Sequence, residues 1–135
     1  MLDKRISVIL NEKLPVGIAF NSLAHMCLSL GMQKQEMLGT QILTDIAGKK
    51  YGGMSKYPII ILKGSNEAIK NISVSAKQDN NLIVIDFLKE MYDEYTDEEM
   101  KKAIEKSVDF EYYGTLLYGP TKMVNSHTKA LQLWR

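Results

Sequence analysis

The chain has 135 residues, of which 45% are hydrophobic and 24% are charged, and its formal net charge is +1. This length fits one domain over residues 1–135, with one hydrophobic core and no need for stapling disulfides. The composition excludes collagen-like, coiled-coil and disordered chains. The small net charge does not fit the clustered basic surface of a dedicated nucleic-acid-binding domain.

The cysteine and hydropathy patterns indicate a cytoplasmic protein. Cys27 is the only cysteine, so no intramolecular disulfide can form, which agrees with a reducing compartment. The apolar runs have the length of strands, and residues 1–5 lead into a strand pattern without a signal-peptide core. We therefore expect a cytoplasmic protein with no membrane span and no membrane partner.

Hydrophobic periodicity predicts alternating strands and helices. The strands have one apolar face or a continuous apolar run, and they cover residues 4–10, 57–62, 82–86 and 112–118. The helices carry apolar residues at helical spacing, and they cover residues 15–30, 34–46, 66–77, 96–107 and 121–131. The glycine-containing residues 49–55 are expected to form a loop. This alternation predicts a three-layer α/β/α domain with parallel strand pairs joined by helices.

Local signals mark the starts of three of these helices. Pro15 suits the first helical turn, where its missing N–H is not needed. Ser65 can cap the helix that begins at residue 66, and Thr96 can cap the helix with the acidic first turn. These signals support the predicted boundaries.

A polar stripe lies along the first helix. Asn21, His25 and Ser29 recur every fourth residue, with Ser22 beside them, and the rest of the helix is almost wholly apolar. A helix that is apolar on nearly all sides is expected to be buried, and polar groups on it then need partners or a function. We identify Asn21 and Ser22 as candidate ligand-binding residues and His25 as a candidate catalytic residue, although His25 could also be a satisfied core histidine.

Asp86 ends a predicted buried strand. Ligands in open α/β sheets gather beyond the carboxyl ends of the strands, where residues 11–17 also lie if the strands are parallel. Asp86 is therefore a candidate catalytic carboxylate near the start of the first helix, although it could instead bond a neighbouring loop. Two histidines and no cysteine pair argue against a zinc site, and the sequence has no phosphate-cradling glycine loop, so we expect no metal and no cofactor.

Charged and aromatic residues are unevenly distributed in the second half of the chain. Residues 86–111 contain ten of the sixteen acidic side chains and only four lysines, which is typical of a solvated acidic helix. Aromatic residues concentrate late in the chain, and Trp134 is among them. They could form a stacking surface for bases, although packing in the core and at strand edges is the simpler explanation.

Several short motifs together resemble the peptidyl-tRNA hydrolase type two superfamily. The resemblance spans nearly the whole chain and rests on the first strand with its charged turn, a glycine and an Ala-His pair on the first helix, a Pro-started strand, a helix, an Asp-terminated strand, and a last strand that closes on Gly-Pro. These are residues 5–10, 12–14, Gly17, Ala24-His25, 58–62, 66–77, 82–86 and 116–120. The resemblance implies a four-stranded mixed sheet between helices, and a homodimer.

The first helix departs from the hydrolase pattern at two positions. When the helices are aligned through Gly17 and His25, Ile18 stands where the functional lysine falls, and Ser22 stands where the glutamine falls. Isoleucine cannot stabilise a developing negative charge. The chain is more similar to a branch of small bacterial proteins without an assigned activity, the domain of unknown function number two thousand, which keeps the Ala-His pair and the Asp-aromatic pair Asp86-Phe87.

Three functional hypotheses follow. In the leading one, Asn21, Ser22, His25 and Asp86 line a pocket for a small-molecule or peptide-like ligand, and Lys13 contributes to binding. In the second, the protein is a peptidyl-tRNA hydrolase that acts on tRNA, with Asp86 orienting a water and Lys13 or Lys122 replacing the missing lysine. In the third, the apolar helix makes a non-catalytic homodimeric interaction module.

Overall fold

The computed structural model describes residues 3–39 and 42–135, which form a large mixed sheet, a small separate sheet, and helices. The strands are β1 Lys4–Asn11, β2 Ile42–Thr44, β3 Lys50–Gly52, β4 Ile59–Gly64, β5 Ile83–Leu88, β6 Tyr112–Pro120 and β7 Gln132–Leu133. The helices are α1 Val16–Gln33, α2 Asn66–Ala76, α3 Lys89–Asp93, α4 Asp97–Lys106 and α5 Thr121–Thr128. Within these ranges, no helix combines the length and the apolar character that crossing a membrane requires.

The large sheet has the strand order β5-β6-β1-β4-β7. β1 pairs with β4 in parallel, whereas β6 is antiparallel to both β1 and β5, and β7 is antiparallel to β4. Strands β1, β4 and β5 therefore run in the same direction. Their carboxyl ends meet at one edge of the sheet, and the start of β6 lies there too.

Helices cover both faces of the large sheet, because the strands are apolar on both faces. Val8 and Leu10 of β1 point to one face and pack with Met26 of α1. Ile9 points to the other face and packs with Ile69 of α2 and Val124 of α5. The mixed α/β organisation predicted from the alternation of elements is thus present.

The predicted sheet of four strands is wrong, because the described residues form five in the large sheet. The additional strand, β7, has only two residues, which pair with Leu62 and Lys63 of β4. Two residues are too few to produce a readable alternation of apolar and polar side chains. β7 brings the end of the chain beside β4.

The predicted helix over residues 34–46 and the predicted loop over 49–55 are also wrong. A single 3₁₀ turn, Gln35–Met37, is followed by β2, which forms a two-stranded antiparallel sheet with β3. Residues 40 and 41 of the predicted helix lie outside the described residues. The apolar residues at 37, 38, 42 and 46 match helical spacing, but Gly39 interrupts the predicted helix, and Gly48 shortly after its end adopts φ +85°.

The helix caps predicted from the sequence are confirmed. Ser65 Oγ accepts a hydrogen bond from the Ala68 amide at 3.1 Å, and Thr96 Oγ1 accepts one from the Glu99 amide at 3.1 Å. Side-chain caps of this kind satisfy amide groups that have no partner within the helix. They therefore set the starts of α2 and α4 where the sequence places them.

Candidate functional site

The polar stripe of α1 lies on the outer side of the helix. Asn21 and His25 are exposed, and the His25 ring stacks on Phe87 with ring centroids 5.6 Å apart. Ser22 is fully buried and donates to the Ile18 carbonyl at 2.9 Å, so it satisfies itself within the helix. The expectation that α1 is buried nearly all round is wrong, because it covers one face of the sheet and leaves its other side in solvent.

Asp86 lies within β5, where it faces α2. Its Oδ1 atom accepts hydrogen bonds from Ser73 Oγ at 2.7 Å and from Thr115 Oγ1 at 2.8 Å. Its Oδ2 atom lies 2.5 Å from Lys77 Nζ. The carboxylate is 11% exposed, and both hydroxyl-bearing residues are fully buried. Asp86 therefore joins α2 to β5 and β6, and protein groups bond both of its oxygens.

His25 and Asp86 do not converge on a shared cavity. Successive side chains on a strand point to opposite faces of the sheet. Phe87 points toward α1, where His25 stacks on it, and Asp86 points toward Ser73 and Lys77 on the opposite side. The sheet itself therefore separates the two predicted catalytic residues. Their assignment as catalytic stays a prediction, but one pocket cannot include both side chains.

The loop between β1 and α1 places Lys13 at the carboxyl edge of the sheet. The buried Asn11 side chain accepts a hydrogen bond from the Lys13 amide at 3.0 Å and donates one to the Tyr112 carbonyl at 3.0 Å. Asn66 Oδ1 accepts from the Tyr112 amide at 2.6 Å. Two asparagines thus tie the end of β1 and the start of α2 to the start of β6, and this fixes the backbone that carries Lys13.

A basic cleft opens beside this loop, at the end of β4. It is a cavity of about 420 Å³. One acidic, three basic and one aromatic residue line it: Glu12, Lys13, Lys63, Arg135 and Trp134. We call these residues the basic cleft.

The cations of the basic cleft are not neutralised by ion pairs. Within residues 3–39 and 42–135, none of Lys13, Lys63 and Arg135 has a carboxylate within 4.0 Å. Lys63 also lines two adjoining cavities of about 350 and 370 Å³. Like charges gathered around a concave surface raise the local potential and attract anions. Three basic side chains against the one carboxylate of Glu12 give this cleft a net positive charge.

β7 holds the indole ring of the cleft in place. The Trp134 amide donates to the Ile61 carbonyl at 2.9 Å, and the ring packs partly against the core on the α1 side. A partly buried indole that lines a cavity offers a flat, rigid surface for a ligand. Trp134 is the only tryptophan in the chain, so its fluorescence reports directly on this cleft.

A second polar cavity, of about 280 Å³, lies at the opposite edge of the sheet. Glu36 accepts hydrogen bonds there from Tyr118 Oη at 2.8 Å and from Lys4 Nζ at 3.1 Å. The bond from Tyr118 and then the one from Lys4 lower the pKa of the Glu36 carboxyl. Burial and the Glu36 carboxylate raise the pKa of the Tyr118 hydroxyl. These three groups satisfy one another, unlike the cations of the basic cleft.

Cys27 offers neither a reactive thiol nor a metal ligand set. Burial raises its pKa, which disfavours the nucleophilic thiolate. Over the part of the chain that the structure describes, no three His, Cys, Asp or Glu side chains gather closely enough to hold a metal ion.

Sequence reasoning did not predict four of the five residues of the basic cleft as site residues: Glu12, Lys63, Trp134 and Arg135. Lys63 and Arg135 are separated by more than half of the chain, and the pairing of β7 with β4 brings them together. Trp134 was noted only as one of several late aromatic residues. The one available signal was Lys13, which was predicted to bind a ligand and which lines this cleft.

Comparison with known proteins gives a family and a fold. Residues 4–135 match the family described as protein of unknown function (DUF2000). The solved structure of the protein of unknown function Atu0240 from Agrobacterium tumefaciens strain C58 is similar, with a TM-score of 0.87 and 24% identity over 100% of both chains. At this identity the likeness shows the fold alone. No curated protein matches the chain. Because the family match covers almost every residue, the chain belongs to the DUF2000 family.

Proposed function

We propose that this protein binds a small anionic ligand, such as a phosphate- or carboxylate-bearing peptide-like molecule, in the basic cleft. One observation carries the proposal: Lys13, Lys63 and Arg135 line one cavity without a carboxylate partner among the described residues. The leading hypothesis of a small or peptide-like ligand is kept, and Lys13 keeps its binding role. The proposed pocket lies at the end of β4, and not at Asn21, His25 and Asp86, where the sequence predicted it.

The side chains of the cleft suit a ligand with an anionic group next to a flat or apolar group. The Arg135 guanidinium can bind a carboxylate or phosphate through two parallel hydrogen bonds, and lysines add point charges. The Trp134 ring supplies an apolar surface beside them. Glu12 reduces the net charge of the cleft and can accept a hydrogen bond from an amine or amide of the ligand.

The proposal predicts that Lys63→Ala weakens ligand binding at least about tenfold, because a hydrogen bond to a charged group contributes about 1.5–3 kcal/mol. The measurement is a titration of Trp134 fluorescence with inorganic phosphate, adenosine monophosphate and an N-acetylated dipeptide. The three probes distinguish a phosphate site from a carboxylate site. Lys13→Ala is expected to weaken binding in the same direction.

The matched control is Lys101→Ala, which removes an exposed lysine from α4, away from the cleft. It is expected to leave every titration unchanged. Equal loss in Lys101→Ala and Lys63→Ala would show that net charge, and not the cleft, determines binding. Absence of binding for all three probes would contradict the proposal.

A peptidyl-tRNA hydrolase activity is the second candidate. The observation that favours it is Lys13, which has no carboxylate partner among residues 3–39 and 42–135. Lys13 could contact a phosphate of tRNA. In that mechanism, however, Asp86 must orient a water for the same substrate, and Asp86 faces α2 with both oxygens bonded. Hydrolysis would therefore require Asp86 to leave its present hydrogen bonds, whereas the ligand-binding proposal does not require Asp86 to move.

A further inference from the structure

We propose that α1 forms a two-fold symmetric homodimer interface with the α1 helix of a second copy of this chain. The starting observation is a row of exposed apolar side chains along the outer side of α1. Val16, Phe20, Leu28 and Met32 are each more than half exposed, and they follow the four-residue spacing of one helix ridge. Ala24, also exposed, occupies the middle of this ridge.

The ridge is self-complementary in an antiparallel arrangement. If the two-fold axis passes beside Ala24, Phe20 of one copy meets Leu28 of the other, and Val16 meets Met32. The small side chain at the centre lets the two helix backbones approach closely, and larger side chains fill the space on either side. Isologous contacts of this kind are the commonest way in which soluble chains associate.

Charge favours a second copy of this chain as the occupant. Residues 16–33 contain no Asp, Glu, Lys or Arg, although 24% of the whole chain is charged. A two-fold axis places side chains near it next to their own copies, so charged residues there would repel each other. A helix without charges meets itself without this repulsion.

The apolar surface continues beyond α1. A groove of about 160 Å³ separates α1 from the 3₁₀ turn and the start of β4, and Leu38 and Ile59 line it. The β2–β3 hairpin begins and ends beside this groove, where Leu38 and Ser55 form an antiparallel β-bridge. All six strand residues of the hairpin are exposed. An isolated two-stranded hairpin is marginally stable in water, so this one benefits from contact with a partner.

The exposed area fits what a dimer of ordinary size buries. A standard interface buries about 800 Å² on each partner, of which about two-thirds is apolar in homodimers. The exposed side chains of α1, the groove and the hairpin supply ten large apolar residues, each at least 42% exposed, toward the roughly 20–30 residues that each side of a standard interface contributes. They are Val16, Phe20, Leu28, Met32, Leu38, Ile42, Leu43, Ile46, Met54 and Ile59.

The test is sedimentation of the full chain at increasing concentration. Wild type is expected to be a dimer, and Phe20→Asp and Leu28→Asp are each expected to weaken association at least about 100-fold. Both side chains are exposed, so neither change should unfold the protein, and circular dichroism checks this. The matched control is Val74→Asp, which adds the same charge at an exposed apolar residue of α2, on the other face of the sheet. It is expected to remain a dimer.

The orientation of the helices is tested by cross-linking. In a Cys27→Ser background, Ala24→Cys is expected to form an intermolecular disulfide on oxidation, because a close crossing at Ala24 brings the two cysteines within bonding reach. A wild-type monomer, or a Phe20→Asp protein that stays as dimeric as Val74→Asp, would overturn the proposal. A dimer that does not cross-link through Ala24→Cys would overturn the antiparallel crossing.

Discussion

Replacing Asp86 by alanine is expected to lower the free energy of unfolding by about 3 kcal/mol and the melting temperature by about 10 °C. The change removes the acceptor of two buried hydroxyl groups, on Ser73 and Thr115, and leaves a small cavity between α2 and β5. Lys77 contributes less, because its side chain is 53% exposed and solvent screens its ion pair. Urea unfolding and a thermal melt measure both quantities.

Two variants show whether this loss comes from the buried network. Asp86→Asn keeps an oxygen for the two hydroxyls and loses only the ion pair, so it is expected to cost about 1 kcal/mol. Asp109→Ala removes a carboxylate that is 87% exposed and should change stability by less than about 0.5 kcal/mol. Equal stability of Asp86→Ala and Asp109→Ala would contradict the structural role.

The same variants separate this role from the hydrolase candidate. If Asp86 orients a water, Asp86→Asn should abolish hydrolysis of peptidyl-tRNA while the protein remains nearly as stable as wild type. If Asp86 only holds α2 against the sheet, turnover is either absent in wild type or survives in the folded Asp86→Asn protein. An assay of wild type and Asp86→Asn at matched folded concentration distinguishes the two outcomes.

Gly119→Ala is expected to destabilise the protein by about 2–3 kcal/mol. A Cβ atom at this position would lie 2.7 Å from the Asn81 carbonyl oxygen and 2.6 Å from Leu82 Cδ2. The carbonyl belongs to the backbone, so it cannot move aside as a flexible side chain can. The close approach of the turn before β5 thus explains why a glycine precedes Pro120 at the end of β6. The midpoint of urea unfolding is the measurement.

Gly17 provides the matched control, because a Cβ atom there meets nothing within 4 Å. Gly17→Ala lies in the first turn of α1 and should be neutral or slightly stabilising, since alanine favours helix. An unfolding midpoint for Gly119→Ala that equals that of Gly17→Ala would mean that the turn before β5 can shift at no cost.

The sequence predicts the long elements of the fold well, and the short ones poorly. The runs in β1, β4 and β6 are apolar enough to read directly, and Ser65 and Thr96 mark two helix starts correctly. The helix predicted over residues 34–46 is wrong because scattered apolar side chains there match helical spacing by chance. Only tertiary contacts decide between a helix and a hairpin in this segment. β7 gives no signal because it is two residues long.

The candidate site was less predictable, because it depends on which strands become neighbours. Asp86 was recognised as a buried carboxylate that needs partners, but its partners Ser73 and Lys77 come from the helix on the far face of the sheet. The basic cleft forms only when β7 pairs with β4, and no local pattern links Lys63 to Arg135. Exposure of the apolar ridge on α1 could not be predicted either, because an apolar helix sequence alone favours burial.

The central claim, that the basic cleft binds a small anionic ligand, is tested most directly by following the amide and indole signals of ¹⁵N-labelled protein during addition of adenosine monophosphate, inorganic phosphate or an N-acetylated dipeptide. We predict that the Trp134 indole and the Lys13 and Lys63 amides shift most with at least one of these probes. Largest shifts at His25 and Phe87, or no saturable shift with any of the three probes, would contradict the account.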